Sequence, residues 1–320
     1  MKVINNLNEY EEKEETFVTV GTFDGIHLGH QEILRILVEK SRERGKKNIL
    51  VTFYPHPQMV VNSKYDNKIE LLTTPEEKLE ILRNCNLDLV VYVRFTREFS
   101  EIKPEEFVEE ILIGKLNACG IVVGYDHAFG KARRGRIELL REYGEKRELE
   151  IIEVEPYLKN GKPASSTLIR QLLKTGRVQD ASYYLGTNYK LSGKVIHGSG
   201  RGKRSGYPTA NLSVGNPAKL IPEDGVYIVK IFYNDIPHNG MLYIGTRSTY
   251  GETERVIEVH IFNFSKEIYG ESIKVEFLKR IRGDIQFENE DLLLKQIDRD
   301  KEDSMEYFNN LIEEEKRKEG

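Results

Sequence analysis

Ten residues, Gly21-Thr22-Phe23-Asp24-Gly25-Ile26-His27-Leu28-Gly29-His30, stand between an apolar run and an amphipathic one, and that setting admits few backbone paths. Phe17-Val18-Thr19-Val20 has the length and β-branched content of a buried strand, and Ile33, Leu34, Leu37 and Val38 then recur at helical spacing. The stretch therefore reads as strand, tight glycine turn and helix start. A helix N-terminus presents unpaired N–H groups and a partial positive charge, so such a junction can hold a phosphate. Gly21, Gly25 and Gly29 let the backbone come close to an anion, and His27 and His30 add two side-chain donors. Donors of this kind neutralise charge that builds on the α-phosphate of a nucleotide as pyrophosphate leaves. Taken alone, the same residues also fit two surface histidines in a glycine turn.

His27-Leu28-Gly29-His30 resembles the H-x-G-H signature of the nucleotidyltransferase superfamily, and the strand before it, the helix after it and Gly21-Thr22-Phe23-Asp24-Gly25 give it the expected setting. Phe23 and Asp24 are accordingly grouped with Gly21 and Gly29 as nucleotide-binding candidates.

A chain of 320 residues is long enough for two domains, each with its own core. Lys plus Arg number 48 against 52 Asp plus Glu, a net charge of -4, so no overall basic field argues for nucleic acid. Cys85 and Cys119 form no close pair, and no His or Cys cluster has metal-ligand spacing, which argues against a disulfide framework and a zinc site. The polar, acid-rich first fifteen residues fit neither a secretory nor a transit peptide, and no apolar run approaches the ~20 residues of a membrane helix. A cytoplasmic protein without membrane contact is expected.

Along the first half, residues 48–53 form a second apolar run, ended by Tyr54-Pro55-His56-Pro57. Thr74-Pro75-Glu76-Glu77 reads as a helix start with a capping threonine, a first-turn proline and a glutamate reaching back. Strands are expected at 87–93, 121–124 and 151–154, and helices at 104–112 and near 137–143. Alternating strands and helices imply a doubly wound, mostly parallel sheet, whose ligands lie beyond the carboxyl ends of the strands. His56 and Asp126 follow such strands, yet both are also ordinary turn residues. Ser165-Ser166-Thr167 opens a helical pattern that runs to Gly176. These hydroxyls fit a plain helix cap, or a second anion site in which Ser166, Thr167 and Arg170 hold the outer phosphates.

Beyond Gly186, helical periodicity yields to short strands at 189–196, 225–233, 240–245, 255–264 and 271–280, suggesting an antiparallel sheet or small barrel. The domains expected are residues 1–186 and 187–320. Within the second, Gly198, Gly200 and Gly202 allow a backbone that curls around an anion, with Lys203 and Arg204 adding charge. A mobile basic loop is the plainer alternative. Thr209 and Asn211 offer oxygen ligands suited to Mg²⁺.

Gly206-Tyr207-Pro208-Thr209-Ala210-Asn211 resembles the G-[FY]-P-T-A-N element of riboflavin kinases, and the first half resembles bacterial FAD synthetase modules. Their order is similar to that of the bifunctional riboflavin kinase/FAD synthetase family. The resemblance implies an α/β doubly wound nucleotidyltransferase domain followed by an antiparallel β-barrel domain with a C-terminal helix. It implies AMP transfer from ATP to FMN, with His27 and His30 on the ATP phosphates and Ser166, Thr167 and Arg170 in a second nucleotide motif. It further implies phosphorylation of riboflavin with Mg-ATP, with Thr209 and Asn211 at metal and phosphate and Glu258 as catalytic base. Asp126 is expected near flavin or adenine. On residues alone Glu258 reads as an outward-facing strand residue.

Asn263 and Ser265 stand where this family commonly carries aspartates, and Ser248 replaces its usual proline. Residues 290–318 pattern as one or two amphipathic helices on the barrel, with partner binding an alternative. The expected ligands are ATP, riboflavin, FMN, FAD and Mg²⁺, with no nucleic acid, membrane or obligate protein partner. Two rivals stay open: a different H-x-G-H nucleotidyltransferase with an accessory barrel, and a flavin- or RNA-binding regulator without turnover.

Overall fold

The structure is a computed structural model and describes residues 1–7, 10–61, 69–125, 130, 135, 137–198, 206–249 and 252–319. The chain forms two compact units, Met1–Ser166 and Thr167–Gly320.

Unit 1 is a parallel sheet of strands β1 (Lys2–Ile4), β2 (Thr16–Val20), β3 (Lys47–Tyr54), β4 (Leu89–Arg94), β5 (Ala118–Gly124) and β6 (Glu150–Val154), in the order β1-β4-β3-β2-β5-β6. Helices α1 (Leu28–Glu43), α2 (Pro57–Val61), α3 (Pro75–Leu82), α4 (Pro104–Glu106) and α5 (Ile137–Arg147) connect it. Successive strand residues point to opposite faces, and both faces are covered. Phe17, Leu50, Val90 and Val122 join Leu34 and Leu37 of α1 on one side. Val18, Val20, Val51 and Val91 join Phe107, Ile111 and Leu112 on the other.

From β2 the chain winds outward through β3 and β4, then returns to place β5 on the other flank of β2. The carboxyl ends of β2 and β5 thus bracket a topological switch point, where open α/β sheets bind ligands.

The capping box at Thr74 forms as expected: Glu77 N–H donates to the Thr74 side chain and the Glu77 carboxylate accepts from Thr74 N–H. The expected helix at 104–112 runs further, because α4 continues into a π-helical segment, Phe107–Lys115, whose wider turn lets Leu116 N–H reach Ile111 O. Strand β1, three exposed or half-buried residues paired with β4, carried no sequence signal of its own.

A two-stranded hairpin, β7 (Leu158–Lys159) and β8 (Lys162–Pro163), precedes α6 (Ser166–Lys174). Unit 2 includes most of α6 and all of α7 (Val178–Leu185), so the contact boundary precedes the change of periodicity at Gly186. The reason is local. Gly176, in the left-handed region, lies against the Arg280 guanidinium, and Glu223 N–H donates to Leu173 O.

Six strands close a barrel in the order β10-β13-β12-β11-β14-β9: β9 (Tyr189–Ile196), β10 (Ala210–Ser213), β11 (Gly225–Tyr233), β12 (Ile236–Thr249), β13 (Glu252–Ile261) and β14 (Ser272–Arg282). The β11–β12 hairpin turns on Asn234 and Asp235, both at positive φ as a two-residue hairpin turn demands, so β12 begins earlier than hydrophobicity alone suggests. Asn263 also has positive φ, a conformation that Asn and Asp tolerate best among residues with a side chain. A single helix, α8 (Glu290–Glu319), follows the barrel. The resulting α/β sheet, antiparallel barrel and terminal helix match the expected fold class.

Candidate functional site

In unit 1, the turn after β2 lies at the switch point and leads directly into α1. Its path is unusual: Phe23, Gly25 and Ile26 have φ of 46°, 82° and 41°. Only Gly25 adopts such a value without steric penalty. Phe23 and Ile26 are buried and packed in the core, which holds them there.

Buried polar groups fix the rest of the turn. The Asp24 carboxylate, 1% exposed, accepts from Leu72 N–H and Thr73 N–H at 3.0 Å and from the Thr73 hydroxyl at 3.3 Å. Gly25 N–H donates to Thr73 Oγ1 at 3.1 Å, and Ser166 Oγ donates to Asp24 O at 2.9 Å. Lys78 Nζ donates to Thr22 O at 2.6 Å. Asp24 and Phe23 therefore face inward and shape the turn.

His27 is the N-cap of α1, its Nδ1 accepting from His30 N–H at 3.4 Å. An accepting Nδ1 leaves the proton on Nε2 in the neutral ring. His30, one turn on, stacks on His27 with centroids 3.7 Å apart and lies 4.8 Å from the Phe23 ring. The two imidazoles thus form one unit at a helix N-terminus. A side chain at Gly29 would press on the His27 ring, with its Cβ 3.3 Å from Cε1 and Nδ1, and one at Gly21 would meet the Phe23 ring at 3.0 Å.

Of the second anion motif, Ser166 is tied to the turn as described, while Thr167 is exposed and Arg170 half-buried on α6. Their i, i+3 spacing puts Thr167 and Arg170 on one face of that helix. Asp126 lies outside the described residues, as do Gly200, Gly202, Lys203 and Arg204.

In unit 2 the site is built from strand register. Glu258 on β13 pairs directly with Asn211 on β10 and with Tyr243 on β12, so the three side chains share one face of the sheet. The Asn211 amide lies over Gly198, where a Cβ would come within 2.0 Å of Nδ2; glycine is required for this approach. Glu258, Thr209, Tyr243, Arg282 and Asp284 line a cavity of about 730 Å³ beneath α8.

His260, next on the same face, shares a hydrogen bond with Pro208 O at 2.8 Å, which fixes the segment carrying Thr209. Burial holds its imidazole below the ordinary histidine value, the bond to Pro208 opposing.

Helix α8 is fastened over this cavity by polar contacts. Arg282 binds the Asp300 carboxylate at 2.8 to 3.1 Å through Nε and a terminal nitrogen, with Asp300 2% exposed. Tyr207 donates to Asp298, and that bond pushes its phenol up to about 12. Lys301 lies over the Tyr207 ring at 5.7 Å. Sequence reasoning missed Lys78, Arg282, Asp300 and Asp284. The one available signal was Lys78, four residues before Leu82 on an otherwise apolar face of α3.

The donors around Glu258, namely the Thr209 hydroxyl, the Asn211 amide oxygen and a carboxylate, are hard oxygens that suit Mg²⁺ shared with phosphates. Among the described residues, no group of three or more His, Cys, Asp or Glu side chains is arranged to hold a metal ion by itself.

A family model for FAD synthetase matches residues 9–168, and one for riboflavin kinase matches residues 185–308. A bifunctional riboflavin kinase/FMN adenylyltransferase from Buchnera aphidicola subsp. Schizaphis graminum (strain Sg) is 37% identical over 316 residues, 97% of this chain and 99% of that protein. The protein of the same name from Bacillus subtilis (strain 168) is 34% identical over 304 residues, 94% of this chain and 95% of its own length. A solved structure described as a macrolide-efflux protein from Streptococcus pneumoniae is 31% identical with a TM-score of 0.86, covering 95% of this chain and 98% of that one. The efflux description belongs to that protein. Among the described residues here, no helix is long and apolar enough to cross a membrane.

Proposed function

This chain belongs to the bifunctional riboflavin kinase/FMN adenylyltransferase family, and from that premise we propose how its residues divide the two reactions. It phosphorylates riboflavin with ATP to give FMN, then adenylylates FMN with ATP to give FAD and pyrophosphate. We assign adenylyl transfer to residues 1–186 and phosphorylation to residues 187–320, in the cytoplasm.

For phosphorylation, Glu258 is the general base. Its carboxylate takes the proton of the riboflavin terminal hydroxyl as that oxygen attacks the γ-phosphorus of ATP and ADP departs. The register of Glu258 against Asn211 and Tyr243, with Glu258 and Tyr243 on the wall of a cavity of about 730 Å³, carries this assignment. Thr209 and Asn211 would hold Mg²⁺, which when bound offsets charge on the transferring phosphate. The ATP phosphates are assigned to Gly198, Gly200, Gly202 and Lys203, since a glycine-rich run allows main-chain N–H groups to turn toward an anion.

For adenylylation, a phosphate oxygen of FMN attacks the α-phosphorus of ATP and pyrophosphate leaves. His27 Nε2–H, His30 and the first N–H groups of α1 stabilise the charge that develops there. Gly21 and Gly29 keep the approach open. Ser166, Thr167 and Arg170 are assigned to the departing phosphates, and Asp126, outside the described residues, to the flavin or adenine. Phe23 and Asp24 serve by fixing the turn.

Glu258→Gln tests the division. It removes the base while keeping shape, so riboflavin phosphorylation falls by about 10² to 10⁴. FAD formation from supplied FMN continues at the parent rate. Equal loss of both activities, read by chromatography of flavin products, contradicts the assignment.

A further inference from the structure

Lys78 is 6% exposed, a rare burial for a lysine. It sits on α3, beneath the turn that joins β2 to α1. Its ammonium donates to Thr22 O at 2.6 Å and lies 3.4 Å from Thr52 Oγ1 on β3. The Thr52 hydroxyl in turn donates to the same Thr22 carbonyl at 3.1 Å. The charge also faces the Tyr92 ring on β4, whose centroid is 6.0 Å away.

A buried ammonium is costly, and a structural role alone is filled more cheaply by an apolar side chain. What this one holds is specific. Thr22 lies between Gly21 and Phe23, immediately before the run of left-handed residues that aims His27 and the α1 N-terminus. The Thr22 C=O and the Phe23 N–H belong to one planar trans peptide unit, so capture of the carbonyl by Lys78 also fixes the direction of that N–H at the entry to the turn.

We propose that Lys78 is a positioning residue for adenylyl transfer: by capturing the Thr22 carbonyl it holds the turn in the one conformation that presents the anion-binding N–H groups and the paired histidines. The inference rests on the reading that this turn is the adenylyl-transfer site. Lys78 touches no substrate and acts through the backbone of the turn.

Burial lowers the Lys78 pKa from 10.5 to about 8, with the Asp24 carboxylate of the turn opposing. Among the described residues, Tyr92 also faces it, and burial keeps that phenol protonated well above that range; Glu77, its neighbour on α3, is engaged at the helix cap. The ammonium therefore gives up its proton more readily than an exposed lysine, and its grip on Thr22 O weakens as pH rises through about 8.

The experiment compares Lys78→Met, Lys78→Arg and His30→Ala, each assayed separately for FAD formation from FMN and for FMN formation from riboflavin. A displaced turn costs about 100-fold, so Lys78→Met lowers kcat for adenylylation by about that factor, with the KM for FMN within about twofold. Riboflavin phosphorylation stays at the parent rate. The thermal midpoint stays level or rises, because an apolar residue replaces a buried charge. Lys78→Arg, which keeps the cation, recovers at least about tenfold of the loss.

Adenylylation by Lys78→Met within about threefold of the parent, alongside an inactive His30→Ala, overturns the inference and leaves the site reading intact. Active His30→Ala overturns the site reading, and the inference with it. Should Lys78→Met fail to fold, the unaltered chain decides: its adenylylation rate falls relative to phosphorylation between pH 7 and 9.5, and a constant ratio across that range overturns the inference.

Discussion

The turn at His27 and the wall at Glu258 are built on different terms. The first is made of backbone: a buried strand ends, the chain passes through three left-handed residues, and a helix begins. Its side chains work mostly from below, where Asp24, Thr73 and Lys78 tie main-chain groups in place. The second is made of side chains set by register, with Glu258, Asn211 and Tyr243 contributed by three strands and a helix fastened over them. The difference teaches where each site is vulnerable. The turn fails when a buried support is lost, whereas the wall fails when a side chain changes or the covering helix loosens.

The largest effect that separates them is expected for His30→Ala. Loss of one donor to a developing oxyanion costs about 10² to 10³ in kcat, so FAD formation from FMN collapses while FMN formation from riboflavin persists. Parallel decline of both rates would erase the distinction between the regions.

Next comes Asp300→Ala, which strands Arg282 in a half-buried position. Removing one partner of a buried pair costs about 3 to 5 kcal/mol. Urea unfolding should show that loss, and riboflavin phosphorylation should weaken far more than adenylylation.

A smaller effect is expected for His260. Because burial lowers its pKa from 6.5, the unfolded chain binds the proton first as pH falls. Stability is then lost as pH drops below about 6.5. His260→Gln, which cannot titrate, should flatten the pH dependence of the thermal midpoint in that window.

Smallest is Thr74→Ala, which removes the cap of α3 and with it about 1 kcal/mol. The thermal midpoint should fall by a few degrees with little change in riboflavin phosphorylation.

The two regions were also unequally legible. Gly25, the α1 start and the Thr74–Glu77 box depend on neighbours a few residues away, so their chemistry can be read from the chain itself. The pairing of Asn211 with Glu258 depends on which strands meet, and β10 has only four residues. A glutamate in a β-branched run reads as solvated unless a resemblance says otherwise. Lys78 was hidden for a related reason: a lysine on a helix is normally at the surface, and only the packing of α3 against β3 and β4 buries it. Arg282 and Asp300 look like ordinary charges until α8 covers the barrel.

Separate sites make one measurement more direct than the rest. Glu258→Gln and His30→Ala, each slowed by at least about 100-fold in one of the two steps from riboflavin to FAD, are mixed with riboflavin, ATP and Mg²⁺. FMN released by the His30→Ala chain should be adenylylated by the Glu258→Gln chain, so FAD accumulates far faster in the mixture than with either protein alone. A mixture that makes FAD no faster than either protein alone would contradict two independent sites on this chain.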